Sequence, residues 1–484
     1  MSGFTDQASI VAVGPTISSV LNGGDFGPHL CPGVIASIFG ANFGSTASAV
    51  TVTVGGKPGY VITVTPSQIN AQLPTEVQAG PTTITVTVGG TTSAAFNITL
   101  DAYAPTFITS VFFVNTRNAP STTTPTKPGD TLTVYALGLG PTSPPTPTGP
   151  AKAASPTATM PTLTVGGAPA TVLFAGTAPS APGGYQINFK VPAGVQGTVP
   201  VVISIGGKNS SPASVAVFGI SAVVSNASFG SSGTAAPGSI VSLFANGLGT
   251  TDQSSGFPGT VFQGVSVSFN GTLAPLFHLT ATGGQIDLLV PFELPTSGAV
   301  NVQVMTPSGP TMNYKLNMAA ASPGMYFLAD PSTKNRFNAL AQFNNTAWLD
   351  MPASTAAALQ IPACTPDFNP LSLCGRPAAP GDVLVLYGTG LGKATPKGDP
   401  NGAQLKTGSV APADGSVIYQ TVATPSVTIG GTPATVLFSG LSPGFAGLYQ
   451  VDLQVPMGVT GDDLPLVLTM GSAMDTRTIS VQLR

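Results

Sequence analysis

Charged side chains are scarce. Of 484 residues, 15 are Lys or Arg and 18 are Asp or Glu, 7% of the chain, against roughly 25% in an ordinary soluble domain. With a net charge of −3, nothing offers a basic footprint for nucleic acid or an anionic membrane. Histidine occurs twice, at His29 and His278, and cysteine three times, at Cys31, Cys364 and Cys374. A zinc site needs three or four such ligands close together, so no metal ligands are assigned. Neither histidine has a nucleophile motif beside it, and no glycine-rich run matches a phosphate-binding pattern. No catalytic residue and no cofactor is therefore predicted. No apolar stretch reaches the roughly 18 residues of a membrane-spanning helix. The opening MSGFTDQASIVAVG has neither the basic nor the apolar region of a secretory signal. The Thr/Ser/Gly/Val-rich composition still predicts an extracellular or cell-surface protein, its signal already removed.

Glycine (59) and proline (47) are abundant, while the hydrophobic fraction of 42% is ordinary. That is enough apolar side chain to build cores despite the turn-rich composition. Three signatures recur four times in one order. The first is Pro-Gly opening an alternating run, at Pro32, Pro128, Pro237 and Pro380. An aromatic follows seven residues after the proline (Phe39, Tyr135, Phe244, Tyr387) and a glycine twelve after it (Gly44, Gly140, Gly249, Gly392). The second is a strand ending in a hairpin dipeptide: VTVGGKP (52–58), LTVGGAP (163–169), VSFNGTLAP (267–275) and VTIGGTP (427–433). The third is Q-[IV]-[ND]-x-x-[LV]-P, at 68–74, 186–192, 285–291 and 450–456. Period-2 alternation, with turns every 8–12 residues or so, predicts antiparallel β-sandwiches of about seven short strands.

The repeats alternate in kind. The second and fourth share VGGAPATVLFAG (165–176) and IGGTPATVLFSG (429–440), while SSVLNGGDFG (18–27) resembles AVVSNASFG (222–230) before the first and third. From Pro-Gly to Gln the spacing is 36 and 48 residues in one kind, 58 and 70 in the other. The order A-B-A-B implies a duplicated two-domain unit. Expected boundaries are 1–103 (A1), 104–218 (B1, with a long loop at 141–161), 219–321 (A2) and 322–484 (B2, with insertions 329–380 and 393–420). Four sandwiches in series predict an extended rod, almost without helix; the best helical stretch is 338–358.

These motifs resemble the IPT/TIG class of immunoglobulin-like domains, whose pattern runs P-G…V-x-[LI]-[FY]-G, then V-x-V-G-G-x-P-A, then V-P-x-G-x-x-G. SNASFGSSGTAAPGSIVSLFANGLG (225–249) and YQINFKVP (185–192) are more similar still to an uncharacterised domain of secreted acidobacterial-type proteins. The resemblance spans about 17–484. It implies four tandem immunoglobulin-like domains, and it is nearly silent on activity.

Cys364 and Cys374 bracket the proline-containing CTPDFNPLSLC, and a disulfide there would fix a loop that has no core of its own. Cys31 is left over and reads as a small buried apolar residue. Gln68/Asn70, Gln186/Asn188, Gln285/Asp287 and Gln450/Asp452 repeat at fixed spacing, which suits a fold-defining role of bonding loop backbone and pinning a strand. Asp399, Asp414 and Asp462-Asp463 read as solvated turn acids. Trp348 and Tyr419, in or near the B-type loops, are the aromatic residues placed to meet a ligand. The expected function is a non-enzymatic structural, adhesive, coat or filament protein that associates with itself or with another surface protein. The alternative is a carbohydrate-binding module, for which one Trp and nine Tyr provide few aromatic platforms.

Overall fold

The computed structural model describes residues 14–230 and 233–483, without the side chains of 256–258. Most of the N-terminal stretch read for an export signal, residues 1–13, lies outside them, as do Ser231, Ser232 and Arg484. The chain divides into two compact units between Val217 and Phe218. Each contains two large hydrophobic cores: around Ile38, Val52, Ile69 and Ile84 and around Val134, Leu163, Ile187 and Ile203 in the first unit; around Leu243, Val267, Ile286 and Val302 and around Leu386, Val427, Val451 and Leu468 in the second.

Alternation of side chains produces the layers. In Val50–Val54 the three valines are buried and Thr51 is exposed, because successive side chains leave a strand on opposite faces. A1 places Thr16–Asn22, Ile35–Ala41, Gln68–Gln72 and Tyr60–Thr65 in one sheet and Val50–Val54, Gly80–Val88 and Phe96–Leu100 in the other, all antiparallel. Packed face to face over one core, they form an immunoglobulin-like sandwich. A2 repeats the plan and adds Gln253–Gly259 beside Leu276–Thr280. The Pro-Gly signatures are turns whose glycines need positive φ: +79° at Gly33, +92° at Gly129, +76° at Gly238 and +88° at Gly381.

B-type domains differ in one strand. Ala168–Thr177 pairs through Ala168–Ala170 with Thr162–Val165, then through Thr171–Thr177 with Tyr185–Lys190, so a single strand passes from one layer to the other. Thr432–Leu441 does the same in B2. A bulge in each turns a leucine outward, leaving Leu173 49% and Leu437 54% exposed.

The 329–380 insertion is not plain loop. Ala341–Phe343 pairs with Val383–Thr389, and Trp348–Asp350 pairs in parallel with Cys374–Arg376. Between them lies one short helix, Ala353–Ala358. Of the stretch 338–358, only those six residues are helical; the rest is short strands and turns, because Ala341 and Phe343 are drawn into the fourth core.

Candidate functional site at the seam between paired sandwiches

The long loops of the B-type domains return to the neighbouring A-type domain. In the first unit the Glu76 carboxylate accepts the Thr148 backbone N–H at 3.2 Å and the Thr148 hydroxyl at 2.6 Å. The Thr75 N–H donates back to that hydroxyl at 2.9 Å. In the second unit Glu293 accepts the Thr407 N–H at 2.9 Å and its hydroxyl at 2.5 Å, and the Phe292 N–H donates to Thr407 Oγ1 at 2.8 Å. Burial works to raise both carboxyls, but the threonine hydrogen bonds outweigh it and hold them below the usual carboxylate range. Both pairs are charge-assisted hydrogen-bond clasps between loop and sandwich.

Sequence reasoning missed these residues. The signal was present: in A1 and A2 the third signature continues Pro-x-Glu, at Pro74–Glu76 and Pro291–Glu293, and both B loops carry Thr-Gly, at 148–149 and 407–408. B1 and B2 have Gly194 and Gly458 at the glutamate position. The seam is reinforced where Gly183 sits against the Gly33 carbonyl and Gly447 against the Gly238 carbonyl; a Cβ there would lie 2.7 and 3.0 Å from those oxygens.

The two seams are filled differently. The second is packed by Ile240, Leu289, Phe292 and Ala446, with Leu405 and Val410 against them. At the corresponding places the first seam has Gln72 for Leu289, Thr75 for Phe292 and Thr146 for Leu405. It encloses a cleft of about 590 Å³ lined by Pro141, Pro145, Pro147, Tyr103, Gln72 and Glu76 among others, within the range of small-molecule sites. Tyr185 closes its floor; its buried hydroxyl donates to the Gly140 carbonyl, as Tyr449 donates to Gly392 at 2.6 Å. Burial holds both phenols well above the ordinary tyrosine range.

The residues singled out from sequence lie elsewhere. Cys364 and Cys374 are brought together as a disulfide, Cα–Cα 5.1 Å. Cys31 is buried, and that burial pushes its thiol up to about 12, which leaves it a core residue without a reactive thiolate. His29 is exposed and meets Asp101 at 3.2 Å, which Lys208 also contacts at 3.2 Å. His278 faces Asp287 across paired strands. Trp348 and Tyr419 are half-buried against the fourth core, the Trp348 indole donating to the Asn369 carbonyl at 3.2 Å. Asp399 and Asp414 accept the N–H groups of Asn401 and Ser416 in their own turns. Arg336 pairs with Asp463 at 2.7 Å and donates to the Asp462 carbonyl.

In the repeated Gln-x-Asn/Asp motif the partners are side chains on the sheet face, not loop backbone. The Gln68 amide donates to Asn70 Oδ1 at 2.9 Å, Gln186 to Asn188 at 2.9 Å, Gln285 to Asp287 at 2.8 Å and Gln450 to Asp452 at 3.2 Å. A hydroxyl on the paired strand completes three of them: Ser37, Thr133 and Ser242. B2 has Val385 at that place, and burial raises the Asp452 carboxyl. Residues two apart on a strand share a face, which is why the spacing never varies.

Nearly all-β, with antiparallel sheets stacked as sandwiches in series, the chain is a tandem immunoglobulin-like protein. Residues 15–101 match the IPT/TIG domain family. No curated protein matches the sequence. Among solved structures it is similar to the full extracellular region of plexin A4, at 10% identity and TM-score 0.25, covering 95% of this chain and 30% of that one. It is also similar to SGBP-B of the Bacteroides ovatus mixed-linkage glucan utilization locus, in complex with mixed-linkage heptasaccharide (12% identity, 85% and 84% covered, TM-score 0.17). SGBP-B from a complex xyloglucan utilization locus of Bacteroides uniformis is a third (13%, 63% and 100%, 0.19). These likenesses concern the fold alone.

Proposed function

We propose that the chain is a non-enzymatic structural protein of the cell surface or extracellular space that assembles through its sheet edges. The observation that carries this reading is Tyr60–Thr65. It is the edge strand of its sheet, with no further strand paired to it among the described residues. Its sequence YVITVT is uncharged and largely β-branched. A bulge between Val61 and Thr63 interrupts its pairing with Gln68–Gln72, but no charged side chain defends the edge, which leaves the stretch from Thr63 to Thr65 as a template for pairing with another chain. In A2 the corresponding strand is covered by Gln253–Gly259. The neighbouring face adds to the uncharged surface, with Thr51 opposite Thr87 and Thr53 opposite Thr85.

Sedimentation velocity over a rising concentration series, with electron microscopy of the same samples, tests this. The expected result is concentration-dependent association that Thr63→Lys with Thr65→Lys abolishes. Monodisperse monomers at every concentration, or association indifferent to the two lysines, would overturn it. The open cleft at the first seam favours carbohydrate binding as a second reading.

A further inference from the structure

We propose that the cleft between A1 and B1 is a binding site for a short neutral oligosaccharide, and that the corresponding seam of the second unit lacks this capacity because it is filled. The inference deepens the carbohydrate reading and is independent of edge assembly.

Duplication supplies an internal control. Both seams have the same Glu–Thr clasp and the same close approach of a B-domain glycine to the A-domain Pro-Gly turn. Holding A and B together therefore does not require the space between them to be empty. In the second unit that space is occupied: Phe292 is 6% and Leu289 0% exposed, with Leu405 packed over them. In the first unit three polar, mostly smaller side chains, Gln72, Thr75 and Thr146, leave the cleft of about 590 Å³ open. Tyr103 lines the cleft of the first seam, and Ala321 stands at its place in the second unit.

The lining specifies the ligand's chemistry. No Lys, Arg or His is among the residues that line the cleft, so phosphate, sulfate and carboxylate ligands find no counter-charge. Glu76 is ionised and keeps acceptor capacity beyond its two bonds to Thr148. Gln72 is 3% exposed, and its Oε1 accepts the Gly149 N–H at 2.8 Å. Its Nε2 has no protein acceptor among the described residues, so a donor waits at the cleft wall beside an ionised acceptor. Adjacent hydroxyls of a sugar ring satisfy such a donor–acceptor pair. The ring's C–H faces match Tyr103, Pro145 and Pro147, as apolar sites with a few placed polar groups require. A charged peptide would bring groups for which the lining, without Lys, Arg or His, offers no counter-charge to its carboxylates.

The test uses the full chain and the substitution that nature has already made in the second unit. Isothermal titration is run with cellohexaose, xylohexaose, laminarihexaose and maltohexaose, with hexagalacturonate as the acidic control and a polyproline peptide as the competitor class. Thr75→Phe places the Phe292 ring over Gly33, which already stands where Gly238 receives that ring. Thermal unfolding of each variant shows that the fold is kept. The expected result is saturable binding of at least one neutral hexasaccharide, weakened at least about tenfold, or about 1.4 kcal/mol, by Thr75→Phe and little changed by Thr75→Ser. Neutral-sugar binding untouched by Thr75→Phe overturns the cleft while leaving carbohydrate binding standing elsewhere. No neutral sugar bound by the native chain overturns both. Binding of hexagalacturonate or polyproline alone overturns the assignment of ligand class.

Discussion

Asp350 sits fully buried on the strand Trp348–Asp350, its carboxylate accepting the N–H of Ala378 at 2.7 Å and of Ser480 at 3.0 Å. It ties the insertion of B2 to the last strand. Burial raises its carboxyl to about 7, against the pull of those two N–H groups and of Arg376, while Asp382 adds to the rise. An unfolded Asp titrates near 3.9, so between roughly pH 4 and 7 the folded chain holds a proton that the unfolded chain has lost. Its contribution is complete below the unfolded value and is lost as pH rises through about 7. Asp475 and Asp452, also raised by burial, act with the same sign. Carboxyls held low, such as Glu76 and Asp330, are largely ionised in both states from about pH 5 upward. Urea unfolding at pH 5 and pH 8 should therefore show the second unit less stable at pH 8, by up to a few kcal/mol at about 1.4 kcal/mol per pKa unit. Asp350→Asn should flatten that dependence; an unchanged slope in the variant would reject the assignment.

Turns and strands separate what sequence reveals from what it hides. Gly33 and Gly238 have nearly the same backbone, φ +79° and +76°, so replacing either with alanine carries the same backbone cost. Their surroundings differ. A Cβ at Gly238 would lie 2.1 Å from the Phe292 ring, but at Gly33 it would meet only Thr75 Cγ2, at 3.0 Å. Gly238→Ala should destabilise its unit by about 1–3 kcal/mol more than Gly33→Ala, measured by denaturant unfolding of the two variants; equal losses would show the second seam to be loosely packed. The Pro-Gly turns, the Gly-Gly hairpins and the alternating strands were legible because each is a local pattern read within a dozen residues. The disulfide pairing lay within one short loop, and the Gln-x-Asn/Asp spacing was visible, though its partners were misjudged. Local pattern does not reveal partners on a neighbouring strand. The clasps were hidden for the same reason on a larger scale: Glu76 and Thr148 are 72 residues apart, and Glu293 and Thr407 are 114 apart. The cleft was hidden further still, since it is defined by side chains absent from one of two equivalent seams.

For the molecule as a whole, scarcity of charge first excluded partners and then described a surface of Thr, Ser and Asn with little like-charge repulsion against association. The larger organisation is the paired sandwich. In each unit a charge-assisted hydrogen-bond clasp, a glycine contact and a returning loop join an A-type to a B-type domain, and the pair is expected to behave as one body. Distances between spin labels test that most directly. Lys57→Cys and Lys152→Cys place labels on exposed sites of A1 and B1, while Cys31 is buried and Cys364 and Cys374 are bonded to each other. Pulsed electron resonance on the full chain should give one narrow distance, broadened when Glu76→Ala removes the clasp. A broad or bimodal distribution in the protein with Glu76 intact would show two sandwiches moving independently, and would contradict the account.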